Sequence, residues 1–68
     1  MKSASERVVE NIKKTLKKRG ETAEQVAFGA EVAKSTISRL LAGKLNPTVR
    51  LLEKLANHFE IDIKNFFE

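Results

Sequence analysis

Apolar residues recur at helical spacing through most of the chain. Val8, Val9, Ile12 and Leu16 make one stripe, with Lys13, Lys14, Lys17 and Lys18 on the other side. That pattern predicts an amphipathic helix from about Ser5 to Arg19. Gly20 suits the residue just past its end, and the basic last turn suits the negative pole of the helix dipole. Thr22 is a natural N-cap for a second helix, with Glu24 in its first turn and Val26, Ala27 and Ala30 as its apolar stripe. This helix ends around 29–31. A third helix is predicted from Lys34 to Ala42, stopped by Gly43. At 100° per residue, Ile37, Leu40 and Leu41 share one side. Ser35, Ser38, Arg39 and Ala42 share the other, with Lys34 at its edge. Asn46 precedes Pro47 and is biased to extended backbone, so Lys44 to Pro47 reads as a loop. Thr48 then caps a fourth helix reaching about His58, with Val49, Leu52, Leu55, Ala56 and Phe59 as its stripe. Asp62 caps a short last helix running into Phe66 and Phe67. No run alternates long enough for a strand, so the fold class is all-α, with five short helices.

Length and composition narrow the class. Sixty-eight residues allow one domain, taken here as 1–68. With no cysteine there is no disulfide framework and no thiolate zinc site. The 41% hydrophobic content supports a small helical core, and 32% charged is not disorder-like. No apolar run approaches a membrane span, and the N-terminus lacks the apolar stretch of a signal peptide. A cytoplasmic protein is expected.

The net charge of +4 is modest, but it is unevenly placed. Residues 1–20 carry +5, residues 21–32 carry −3, residues 33–47 carry +3 with no acid, and residues 48–68 carry −1. Two basic segments therefore flank an acidic one. Solvated helix surfaces account for this in part; a polyanion-binding face accounts for it more sharply. The outer face of the third helix is short-chained, as suits a helix that must lie close to something. Two helices joined by a tight turn, the second with a small polar face and basic ends, form a helix-turn-helix, here at about 22–42. Ala27 is small where the helices cross, Glu31 sits in the turn, Val32 plugs the core, and Ile37 packs the second helix back on the first.

The run Val32-Ala33-Lys34-Ser35-Thr36-Ile37-Ser38-Arg39-Leu40, then Gly43-Lys44-Leu45-Asn46-Pro47-Thr48, resembles the Cro/C1-type (XRE) helix-turn-helix regulators. So does Leu52-Glu53-Lys54-Leu55-Ala56, followed by Phe59, Ile61 and Phe67. The resemblance covers about residues 8–67. It implies a compact five-helix, lambda-repressor-like domain that docks its third helix in the major groove of double-stranded DNA. It also implies a transcriptional regulator, here expected to be a repressor on a palindromic operator, bacterial or phage-encoded.

Lys34, Ser35, Ser38 and Arg39 match the family's base-contacting and groove-edge positions. The Arg39 fork suits the O6/N7 pair of guanine. Gly43 and Lys44 match its phosphate-contacting loop. Thr22, beside the backbone N–H groups of a helix start, suits a phosphate clamp. Thr36 fits a phosphate contact or a local backbone bond, and Asn46 a phosphate contact or a turn-ordering role. Lys17 or Lys18 is a further candidate for reaching DNA.

The chain departs from the family pattern at several places. Glu31 stands where Gly is usual, Ala33 where a capping Ser is usual, and Ala23 where a polar residue often meets phosphate. Gly29 is expected to absorb part of the change in the turn. Leu41 replaces a charged residue and is expected to extend the core. Phe28 occupies a normally polar position; folding onto the turn is preferred over contact with a DNA sugar or a partner.

No enzyme is expected. The single histidine, His58, reads as a surface residue, and no ligand cluster suggests a metal or cofactor. The competing function is a protein-interaction module, adaptor- or antitoxin-like, with the same fold and little DNA binding. Phe28 and the acidic stretch favour it; the acid-free stretch 33–47 opposes it. Specific DNA reading by so small a domain calls for two copies; the resemblance puts Phe59 and Phe67 in the core by family position, which leaves Ile63 or Phe66 as the expected homodimer patch. With no sensing segment apparent, a small-molecule effector is not expected.

Overall fold

The periodic stripes fold as four α-helices and a 3-10 turn in a computed structural model that describes residues 3–68. The α-helices are α1 (Ala4–Arg19), α2 (Ala23–Ala30), α3 (Lys34–Leu41) and α4 (Val49–Phe59). The fifth element, Ile63–Phe67, is 3-10 rather than α. No strand occurs among the described residues.

Most of the helix starts are written locally. Ser3 caps α1 by accepting from the Glu6 N–H, and Thr48 caps α4 by accepting from the Leu51 N–H at 3.1 Å. Thr22 and Gln25 form a reciprocal capping box on α2: the Gln25 N–H donates to the Thr22 hydroxyl, and the Thr22 N–H donates to the Gln25 side chain. Only α3 starts bare. Ala33 makes no side-chain cap bond, as its missing hydroxyl predicts.

All four helices stop by one device. A left-handed residue follows each, at Gly20 (φ 67°), Glu31 (58°), Gly43 (75°) and Glu60 (58°). The next N–H then reaches back to a carbonyl in the last turn: Glu21 to Leu16, Val32 to Ala27, Lys44 to Arg39, and Ile61 to Ala56, each at 2.9–3.0 Å. This is the Schellman closure. Two of the four are built on Glu, whose Cβ crowds the left-handed conformation at a cost of about 1–2 kcal/mol. Glu31 is therefore left-handed, as its position in the turn requires. Gly29 does not absorb the turn; it lies inside α2.

The apolar faces meet in one cluster centred on Ile12, Val26, Ile37, Leu40, Leu55, Phe59 and Phe66. α2 packs on α3 and α4, and α1 runs from α3 to the C-terminal 3-10 turn. Val32, Leu41 and Leu45 pack at the edge, so Leu41 does extend the core. Val49 does not join it. It is 67% exposed and Leu51 takes its place, because Val49 sits about a quarter turn from the centre of the stripe formed by Leu51, Leu52, Leu55, Ala56 and Phe59.

The C-terminus corrects a second expectation. Phe66 is 1% exposed and meets Phe59 edge-on, ring centroids 6.3 Å apart, whereas Phe67 is 49% exposed. A 3-10 turn has three residues per revolution, so Ile63 and Phe66 eclipse and both face inward. Phe66 is core, not an outward patch, and Ile63 packs half-buried against the core. Asn11 fastens this end. Its side-chain amide donates to the Phe66 carbonyl at 2.7 Å and the Glu68 carbonyl at 2.8 Å.

Candidate nucleic-acid interface

Helix α3 is turned by its own periodicity. Ile37 and Leu40 are buried against the rest of the molecule, so Lys34, Ser35, Ser38 and Arg39 all stand exposed on its outer side. Thr36 is half-buried on the flank. Arg39 lies in the last turn, where a cation suits the helix dipole. The face offers one planar five-donor fork, two hydroxyls that donate or accept, and one ammonium. The structure thus brings together all four residues expected to touch bases.

The expected phosphate contacts change in kind. Gly43 and Lys44 follow α3, but their backbone N–H groups are already spent closing it, Gly43 on the Leu40 carbonyl and Lys44 on that of Arg39. What remains for an anion is the exposed Lys44 ammonium. Thr22 is likewise committed: its N–H and hydroxyl oxygen both serve the capping box, leaving only its hydroxyl proton to donate. Asn46 is exposed in the loop, and Thr48, not Asn46, caps α4. Asn46 and Gly43 line a groove of about 380 Å³ whose opposite wall is α1, through Glu6, Val9 and Lys13. Lys13 is therefore the α1 lysine that flanks this loop; Lys17 and Lys18 are exposed in the last turn of α1.

The acidic stretch is largely neutralised in place. Glu24 bonds Lys34 at 3.0 Å across the start of α2 and α3. Glu21 takes a hydrogen bond from Arg19 on one oxygen and from His58 Nε2 at 2.7 Å on the other. Those bonds hold its carboxyl below the ordinary glutamate range, Arg19 first and His58 second, against burial that pushes it up. Arg19 also donates to the Phe59 carbonyl at 3.4 Å and stacks over the Phe59 ring at 5.4 Å. His58 is thus no free surface residue: its ring is largely covered and lies over Gly29, where a methyl would overlap it. Gly29 is in α2 because His58 of α4 fills the space a side chain would need.

A model of the helix-turn-helix family matches residues 12–66. The chain belongs to the Cro/C1-type (XRE) helix-turn-helix family. No curated protein and no solved structure gave a significant match. This family is one of DNA-binding regulators, and the matched span includes α2, α3 and the whole exposed face described above. No helix among the described residues is long and apolar enough to cross a membrane.

Sequence reasoning missed Glu24, Gln25 and Lys13 as parts of this surface. Gln25 was readable, since Thr-x-x-Gln before an apolar run is a capping-box signature. Glu24 was not, because its partner Lys34 is ten residues away in a different helix. Phe28 corrects the preference for packing: it is 89% exposed on α2.

Proposed function

We propose that this chain is a cytoplasmic, sequence-specific transcriptional repressor, all of residues 1–68 acting as one domain that lays α3 in the major groove of a palindromic operator. The observation that carries the reading is the outer face of α3. Ser35, Ser38 and Arg39 stand exposed on a helix whose other side is core, and 33–47 contains no acid to repel phosphate. Arg39 reads guanine through its fork, and the serines accept several bases. Lys44, Thr36, Asn46 and the Thr22 hydroxyl hold the backbone, supplying the salt-sensitive part of the affinity.

One domain of this size touches few base pairs, so two copies about one helical turn apart complete the site. With Ile63 and Phe66 facing inward, the exposed apolar residue of the C-terminal segment is Phe67, and the pairing of copies is weak and helped by DNA. Sedimentation that shows a single copy both free and on operator would remove the homodimer from this reading.

Titration of duplex DNA at two salt concentrations tests the whole. Binding is expected to weaken steeply with salt. Arg39→Ala is expected to lose about 1–3 kcal/mol of discrimination at one position while leaving the fold intact. The exposed Phe28 favours a protein-interaction module instead. Absence of binding at low salt would remove the DNA reading.

A further inference from the structure

Lys34 opens α3 without a side-chain cap before it, and its ammonium lies 3.0 Å from Oε2 of Glu24 in the first turn of α2. Both side chains are largely exposed, at 64% and 73%. An exposed pair of this kind contributes little to stability. α2 and α3 are in any case held by Val26, Ala27, Ala30, Ile37 and Leu40. The fold therefore does not depend on the pair.

Its chemistry suits a ligand better. A paired Lys attracts phosphate less than a free one, since the carboxylate beside it offsets part of its charge. The Glu24 carboxylate also sits at the start of α2, beside the N–H groups that would otherwise attract a phosphate, and Thr22 has already given its N–H to Gln25. Both effects weaken the pull on phosphate here and leave the Thr22 hydroxyl as the phosphate donor at the start of α2. What the pair presents outward is a strong donor beside a strong acceptor. The major-groove edge of a G·C pair offers the complement: the O6 and N7 acceptors of guanine beside the N4 amino donor of cytosine.

Resting on the DNA-reading function above, we propose that Glu24 and Lys34 together read one G·C base pair. Lys34 donates to guanine and Glu24 accepts from cytosine. Glu24 is thus a specificity residue on α2, outside the recognition helix.

The test is selection from a pool of synthetic duplexes with a randomised core, sequenced after binding, for the wild type, Glu24→Gln and Lys34→Ala. The bulk pool is titrated alongside at two salt concentrations. The wild type is expected to enrich a G·C pair that both variants lose at the same position. Glu24→Gln should also bind the unselected pool several-fold more tightly and steepen the log–log salt slope by about one, as the released Lys34 falls onto phosphate. The double variant should behave like Lys34→Ala. The proposal is overturned if Lys34→Ala weakens all sequences alike and lowers the salt slope by about one with the motif intact. It is equally overturned if Glu24→Gln changes neither slope nor motif. Thermal melting of each variant shows that it is folded. A wild type that binds no duplex at low salt would instead remove the DNA-reading function itself.

Discussion

Two sides of this molecule use polar side chains in opposite ways. Away from α3, Asn11, Glu21 and Arg19 are partly covered and each is bonded more than once. Asn11 donates to two carbonyls, Glu21 accepts from Arg19 and from His58, and Arg19 holds both Glu21 and the end of α4. On the outer face of α3 the side chains are exposed, and among the described residues the Glu24–Lys34 pair is the one ion pair that engages them. The first group joins elements distant in sequence and keeps α1, α2, α4 and the C-terminus in register. The second leaves donors and acceptors to a ligand. Binding and stability are therefore separable in this chain, and substitutions should sort by side.

The largest effect expected on the framework side is at the C-terminus. Phe66→Ala removes a side chain buried against Phe59 and should cost about 3–5 kcal/mol. In a chain of this length that approaches the whole stability. Phe67→Ala, one residue on and half exposed, should change the urea midpoint only slightly. Equal costs would mean that the eclipsed 3-10 geometry does not set which phenylalanine is core.

That pair also shows where the sequence was legible. Four helices, the capping residues Thr22, Thr48 and Asp62, and the outer face of α3 followed from spacing and local chemistry, because each is decided within about four residues. Phe66 and Phe67 were exchanged because family position put Phe67 in the core, and no local signal marks the 3-10 turn that eclipses Ile63 with Phe66. Val49 was misplaced at the edge of a stripe. Asn11, Glu24 and His58 were not readable at all. Their partners lie 55, 10 and 37 residues away, and no local pattern encodes a meeting that the packing of helices creates. Phe28 failed for a different reason: a lone aromatic on a helix was expected to find cover, and the packing of α2 offers it none.

The turn between the two sides gives an intermediate effect. Glu31 and Gly43 end neighbouring helices with the same closure, one with a Cβ in left-handed backbone and one without. Glu31→Gly relieves about 1–2 kcal/mol of steric cost and loses part of it to the greater freedom of the unfolded chain, so a net gain of about 1 kcal/mol is expected. For a domain of this size that is a rise in Tm of about 4–8 °C. Gly43→Ala is the matched reverse. A methyl there meets nothing within 4 Å, so any loss is conformational alone. A stable Gly43→Ala beside an unchanged Glu31→Gly would show that the left-handed ends are not what limits these helices. Neither change is expected to alter DNA sequence preference.

The smallest effect is a slope rather than a step. In the folded chain Glu21 holds its carboxyl below the ordinary glutamate range, chiefly through Arg19 and then His58. The unfolded chain has no such bonds and takes up the proton first as pH falls. The contribution of Glu21 is therefore fully present above the ordinary glutamate pKa, about 4.3, and is lost as pH falls through the lowered folded value. Glu21→Gln cannot titrate. Its stability should lie below that of the wild type near neutrality, and the gap should close as the acid limb is descended. Urea midpoints of the two proteins between neutrality and strongly acid pH measure this difference directly, because every other carboxylate is common to both. Parallel curves would show that the Arg19–Glu21–His58 contact does not survive in solution. The interlocked side of the molecule would then rest on Asn11 and the apolar core alone.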